Sequence, residues 1–309
     1  MIRIFEVGPR DGLQNEKTIL SLEDKIWLIE SLSKTGMTDI EGGAFVRPDR
    51  VPQMADSEQV SAALTAGQSS GVNYWFLVPN QKGLDRALAN GVKNVAFFTA
   101  VSETFNSKNI GMSVDDSFKE IESMMAIAKK ENLKTRGYVS TVWGCPFEGR
   151  IPAAKAQLSL ERLAALGVNQ VSIGDTIGVA NPNAVQDVLK PLLKNHAGSP
   201  KDLFAVHFHD TRGTALANAA KALELGITVF DSSIGGLGGC PFAPGAAGNL
   251  ATEDLLYLFK EMGIQTGVNY RQVCETGMEL SHRMKGKTFT SKALQAFIAN
   301  CTKNTSWDS

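Results

Sequence analysis

Eight times along the chain a short apolar, β-branched run is followed by a stretch with helical spacing. That repeat, at intervals of about 30 residues, constrains the fold more than any other feature. The runs that predict strands are IRIFEV (2–7), DIEGGA (39–44), YWFLV (74–78), NVAFFT (94–99), KTRGYVS (134–140), QVSIGD (170–175), FAVHFH (204–209) and TVFDSS (228–233). Between them, segments such as EDKIWLIESLSKTG (23–36) and SFKEIESMMAIAKKE (117–131) repeat apolar residues at i, i+3 and i+4. Several end on one signal, a glycine followed by an apolar residue: KTGM, ANGV, ALGV and ELGI, placing Gly36, Gly91, Gly167 and Gly226 as left-handed helix stops. An open doubly wound sheet alternates in the same way. The count of eight, with no Pro/Gly/Ser-rich linker between units, instead favours an α/β fold of the (β/α)8 TIM-barrel type. The barrel is expected over residues 1–265. Beyond it, YRQVCETGMELSHRM (270–284) and TSKALQAFIAN (290–300) predict two more helices, so that residues 266–309 form a C-terminal helical extension packed on the barrel.

Charge excludes some functions. With 31 basic residues against 32 acidic ones, neither a nucleic-acid surface nor a charged tail is expected. No stretch approaches the roughly 18–20 apolar residues that span a bilayer. MIRIFEVG enters a strand-like alternation directly, without the pattern of a targeting segment. The four cysteines, Cys145, Cys240, Cys274 and Cys301, form no CxxC pair and are too sparse for a disulfide framework. A reduced, cytoplasmic setting is therefore expected.

In a barrel, chemistry belongs at the C-terminal ends of the strands. Those ends carry Glu6, Arg10, Asp11 and Gln14 after the first strand, Glu41 in the second, Arg136 in the fifth, and Asp175 and Thr176 after the sixth. His207, His209 and Asp210 lie at the seventh, with Asn249 after the eighth. An apolar interior does not hold so many ionisable groups without a purpose. The chain has only four histidines, and His207 and His209 stand two apart in one strand, so both face the barrel mouth while Phe208 turns to the helices. Such a pair can hold one divalent cation, or be two histidines satisfied by hydrogen bonds. Asp11 and Asn249 at the same end supply the oxygens that favour the metal. Oxygen-rich ligation leans toward Mg or Mn, and the two imidazoles keep Zn or Co open. Arg10, beside Asp11, suits carboxylate or enolate oxygens.

GGLGGCPFAPGAAGN (235–249) is a glycine-rich connection with Cys240 in its middle, read as a lid that brings one thiol over the metal site. Asp175 and Glu41 either orient a histidine or arginine or satisfy buried polar groups.

These segments together, EVGPRDGLQNE (6–16), RGYVS (136–140) with GCPFEG (144–149), SIGDTIGV (172–179), HFHDTRGTALAN (207–218) and SSIGGLGGCPFAPGAAGNLATEDL (232–255), resemble the 3-hydroxy-3-methylglutaryl-CoA lyase family of TIM-barrel metallolyases. The resemblance runs from about residue 2 to about residue 297. It implies a divalent-metal-dependent, retro-Claisen cleavage of 3-hydroxy-3-methylglutaryl-CoA to acetyl-CoA and acetoacetate, a step of leucine degradation and ketone-body formation. It also implies an acyl-CoA partner and a homo-oligomer, dimer or tetramer. By resemblance the metal ligands are Asp11, His207, His209 and Asn249; Arg10 stabilises the enolate and Cys240 protonates its carbon. Glu41, Asp175, His207 and Glu253 match further positions important to activity. Arg10, Gln14, Arg136 and Thr176 are the expected substrate-binding groups, joined by Lys287 of RMKGK (283–287), which lies where the family approaches the CoA phosphates.

One stretch departs from the family. Where these lyases usually read Glu-Thr-Thr-Ser-Phe-Val-Ser-Pro-Lys-Trp, this chain has EGGAFVRPDR (41–50). Loss of three hydroxyls at Gly42, Gly43 and Ala44 predicts a roomier acyl pocket, open to a homologous 3-hydroxy-3-alkylglutaryl-CoA. An acetyl-CoA-dependent condensing synthase of the same group is the nearest competing reading, opposed by the cysteine of the glycine loop. An amidohydrolase-type metal hydrolase would carry its HxH on the first strand, not the seventh.

Overall fold

The computed structural model describes residues 1–66, 71–239 and 248–303. Eight parallel strands close into a barrel: β1 (Arg3–Glu6), β2 (Asp39–Ala44), β3 (Asn73–Leu77), β4 (Asn94–Ala100), β5 (Lys134–Ser140), β8 (Gln170–Asp175), β9 (Phe204–Phe208) and β10 (Val229–Ser232). A two-stranded hairpin, β6 (Gly144–Cys145) and β7 (Gly149–Arg150), interrupts the run after β5. The barrel closes where β1 pairs with β10, Glu6 opposite Ser232, so the two ends of the barrel sequence meet at one seam.

Every expected strand is present to within two residues at either end. The four glycines foreseen as helix stops all take left-handed backbone, with φ of 94°, 73°, 82° and 102° at Gly36, Gly91, Gly167 and Gly226. The barrel helices are α1 (Leu22–Ser33), α2 (Ser57–Ala66), α3 (Gln81–Ala89), α4 (Glu103–Ile110), α5 (Val114–Lys130), α6 (Ala153–Ala165), α7 (Pro182–Asn195), α8 (Ala215–Glu224) and α9 (Thr252–Glu261). Side-chain caps fix several starts: Ser21 accepts from the amide of Asp24, Ser113 from that of Asp116 and Asn181 from that of Ala184. Two more helices, α10 (Tyr270–Arg283) and α11 (Lys292–Lys303), follow, and α10 packs between α1 and α9. Arg283 anchors it, with Nη1 2.6 Å from Asp24 and its guanidinium 4.1 Å from the ring centre of Trp27.

The main core lies between strands and helices, where Phe208 packs on Trp143 with ring centres 5.5 Å apart. Inside the barrel, Phe5, Trp75, Ala205 and Val229 form a separate small apolar plug. Above that plug the interior turns polar toward the C-terminal ends of the strands.

Candidate active site

The first turn after β1 sets the site. Gly8–Gly12 winds as a single wide turn of π type, with the Gly12 amide donating to Val7 O at 3.1 Å. Gly8 must be glycine, because a Cβ there would stand 2.6 Å from Glu6 Oε1 and 2.9 Å from a methyl of Ile234. The turn swings Arg10 and Asp11 over the barrel mouth. Arg10, 5% exposed, donates from Nε to Glu41 Oε2 at 2.7 Å and from Nη1 to Asp11 Oδ1 at 2.8 Å, and its guanidinium lies 5.2 Å from the Tyr138 ring. Gln14 donates to the same Asp11 oxygen at 2.8 Å.

His207 and His209 share one face as alternation predicts, with ring centres 5.3 Å apart. Asp11, His207 and His209 each offer one ligand atom, and these atoms lie within 4.8 Å of one another. Asn249 completes the group: its Nδ2 donates to Asp11 Oδ2 at 2.9 Å and to Leu237 O at 3.0 Å. It is held there because its backbone bridges that of His209 and the Leu250 amide donates to Phe208 O. Two buried polar atoms in this group, Asn249 Oδ1 and His209 Nδ1, have no partner among the described residues. Two imidazoles, a carboxylate and an amide oxygen with open lone pairs suit a divalent cation.

The charge states agree with that use. Burial pushes the Asp11 carboxyl up, but Arg10, the two histidines and the Asn249 amide overcome it and hold the group at about 2. Burial, helped by the neighbouring His207, drives His209 down to about 4, so it is neutral at physiological pH, as a ligand must be. His207 moves the other way: burial would lower it, but the hydrogen bond and charge of Asp231 raise it.

The remaining expected residues divide by location. Glu41 is fully buried behind Arg10, and its Oε1 has no partner among the described residues. Asp175 accepts the amides of Val179 and Ala180 at 2.9 and 3.0 Å, and Thr176 Oγ1 accepts the Thr141 amide at 2.8 Å, so both stitch loops at the rim. Asp210 similarly accepts the Ala215 amide at the start of α8. Glu253 lies deeper, both its oxygens accepting the Gly235 amide at 3.0 and 2.9 Å, where the glycine-rich connection begins. Arg136 is fully buried within β5 rather than at its end; its Nη2 pairs with Asp231, and its guanidinium stacks 3.6 Å from the centre of Phe5. Lys287 pairs with Glu16 and lines a cavity of about 310 Å³ together with Asn15, Gly238, Phe289 and Thr290. Cys240 lies outside the described residues.

The roomier pocket expected from Gly42, Gly43 and Ala44 is not there. Between Glu41 and Gly43 the pairing of β2 with β3 shifts register, so both glycines look outward to α2 and β3 instead of into the mouth. A Cβ on Gly42 would meet Phe76 and Leu64 at 3.0 and 3.2 Å, and one on Gly43 would meet Ser57 Oγ at 2.7 Å. Ser57 fills the space and accepts the Ala44 amide at 3.1 Å, while Ala44 belongs to the outer core. The missing hydroxyls thus leave no extra volume beside Arg10. The sequence reading also passed over Asp231, Ser172 and Tyr138. The signal for Asp231 was an acid inside a predicted strand, between Phe230 and Ser232.

Comparison with known proteins follows the same lines. A family model described as HMGL-like matches residues 1–279. The hydroxymethylglutaryl-CoA lyase of Bacillus subtilis (strain 168) is 46% identical over 296 residues, 96% of this chain and 97% of the relative. The crystal structure of the Bacillus subtilis HMG-CoA lyase superposes with a TM-score of 0.91 at 46% identity, covering 96% of this chain and 98% of that one. An HMG-CoA lyase from Acinetobacter baumannii, in complex with coenzyme A and 3-methylmalate, gives a TM-score of 0.90 at 35% identity over 96% and 95% of the two chains.

Proposed function

The chain belongs to the HMGL-like family and, within it, to the hydroxymethylglutaryl-CoA lyases, and from that premise we propose how its residues divide the work. The enzyme cleaves 3-hydroxy-3-methylglutaryl-CoA to acetyl-CoA and acetoacetate. Loss of the C3 hydroxyl proton turns C3 into the ketone of acetoacetate. The C2–C3 electron pair leaves with C2 as the enolate of acetyl-CoA, and a proton delivered to C2 completes the product.

Asp11, His207, His209 and Asn249 would hold a divalent ion, Mg or Mn, which would supply Lewis acidity to the substrate's oxygens. His207, its Nδ1–H given to Asp231, would lend only Nε2 to that ligand group, so the hydroxyl proton passes to solvent at the barrel mouth. Arg10 offers its remaining N–H donors to the enolate oxygen, and Glu41 keeps the guanidinium in place without neutralising it by proton transfer. Cys240, carried by the glycine-rich connection, returns the proton to C2. Asp175 and Thr176 fix the rim, Glu253 fixes the start of the connection, and Gln14 holds Asp11 toward the ligand group. The CoA moiety runs along the cavity beside Lys287, whose ammonium serves a phosphate when released from Glu16. Gly42 and Gly43 add no room for a C3 substituent larger than methyl, since they face Ser57 and Phe76 behind β2.

The observation that carries this reading is the convergence of Asp11, His207 and His209 beside Arg10 at one strand-end surface. A coupled assay for acetoacetate with Mg or Mn tests it. Turnover should vanish on chelation, return with the ion, and fall steeply in Cys240→Ser. Activity indifferent to either change would sink the mechanism.

A further inference from the structure

The two histidines are not equivalent. His209 Nδ1 is buried with no partner among the described residues, whereas His207 Nδ1 stands 3.2 Å from Asp231 Oδ2. Strand register produces the contact: Asp231 of β10 is the direct partner of His207 in β9, so the two side chains rise on the same interior face. Asp231 is completely enclosed and its carboxylate is held from two further sides. Ser172 donates to Oδ2 at 2.7 Å, and Arg136, itself pinned on Phe5, pairs with Oδ1. A carboxylate fixed in this way can only accept from His207, which leaves the proton on Nδ1 and points the opposite nitrogen, Nε2, toward Asp11 Oδ2, 4.0 Å away.

We infer that Asp231, held by Arg136 and Ser172, is a positioning residue that fixes His207 in the Nδ1–H tautomer and so presents its Nε2 lone pair to the ligand group. The inference rests on His207 being a ligand, as proposed above. It assigns Arg136 a place behind the site rather than against the substrate. It also makes a sharp demand on Asp231→Asn. With Arg136 still requiring an acceptor, the asparagine must turn its oxygen to Arg136 and its NH2 to His207. The imidazole would then switch to the Nε2–H tautomer and close its ligand nitrogen with a proton.

Only four histidines occur in the chain, so ¹⁵N-histidine NMR of the whole protein resolves each one. In metal-free wild type, at the alkaline end of the His207 titration, the ring should carry its proton on Nδ1. In Asp231→Asn it should carry it on Nε2, with the His196 and His282 signals unmoved as evidence of an intact fold. Mn²⁺ binding, followed by its electron paramagnetic resonance signal, should weaken by about 10–100-fold in the variant. A wild-type Nε2–H tautomer overturns the inference even if the variant does not fold. So does a folded variant that keeps the wild-type tautomer and Mn²⁺ affinity. Failure of Mn²⁺ to broaden the His207 and His209 signals of wild type would overturn the metal reading itself, a result separate from the tautomer.

Discussion

Glu6 and Glu253 show how single buried carboxyls report on the seam of the barrel. Glu6 accepts from the Gly8 and Ile234 amides at 2.8 and 2.9 Å and from the Thr252 hydroxyl at 2.6 Å. Burial nevertheless pushes it from 4.5 up to about 7. Glu253 is pushed from 4.5 to about 8 by burial, with the Glu6 and Asp254 charges adding to it and the Gly235 amide opposing. Both groups bind their protons more tightly in the folded state than in the unfolded chain. Their contribution is therefore fully present below pH 4.5 and is lost as pH rises through about 7 to 8. Glu253→Gln keeps an acceptor for Gly235 but cannot ionise. It should shrink the loss of unfolding free energy between about pH 5.5 and pH 8.5 by ~1–3 kcal/mol, measured by urea titration at each pH. An unchanged pH slope would show that Glu253 titrates normally. Neither carboxyl's environment is legible in the sequence: Glu6 meets Ile234 and Thr252 from the other end of the chain, and Glu253 meets the Gly235 amide 18 residues back. The histidine pair was legible, since i and i+2 in a strand fixes a common face without knowledge of the rest. Asp231 was not, because its importance depends on the register between β10 and β9.

Strands and helices were read well because their signals are local: β-branched runs, apolar spacing and glycine stops need no tertiary partner. What failed was a register irregularity in β2. Strict alternation would send Gly42 and Gly43 to opposite faces, but the shift between Glu41 and Gly43 turns both toward the α2 side. The hairpin β6–β7 was also missed, its two-residue strands being too short for any period to appear. The β2 geometry has a direct test in Gly43→Ser. Its new Cβ would fall 2.7 Å from Ser57 Oγ, so overpacking should cost about 1–3 kcal/mol of stability. Adding Ser57→Ala opens that space, and the double variant should be more stable than the Gly43→Ser variant alone, a coupling readable by a thermodynamic cycle. Preference for methyl over longer C3 substituents should stay the same in all three proteins. Additive energies, or a changed substrate preference, would mean that β2 does present Gly43 to the mouth.

At the level of the whole molecule, the proposed ligand group spans the place where the barrel is closed. Asp11 follows β1 and Asn249 follows β10, 238 residues apart, and the Asn249 amide already bonds the Asp11 carboxylate across that seam. His207 and His209 come from β9, the next strand round. Parting β1 from β10 would therefore separate ligands from one another, so an ion bound by all four must be released before the barrel can open. Binding to the folded state alone adds about 2.7 kcal/mol at a free ion concentration 100 times Kd. In a chain of this size that corresponds to a rise in Tm of roughly 4 °C. Mn²⁺ should produce that shift in chelator-stripped wild type, and slow unfolding in urea by a comparable factor if the seam opens before the transition state. His209→Ala should lose the shift while melting near the stripped wild-type temperature, because its imidazole donates no described hydrogen bond whose loss would strand a partner. Stripped and Mn²⁺-saturated wild type that melt together would show that no ion joins the two ends of the barrel.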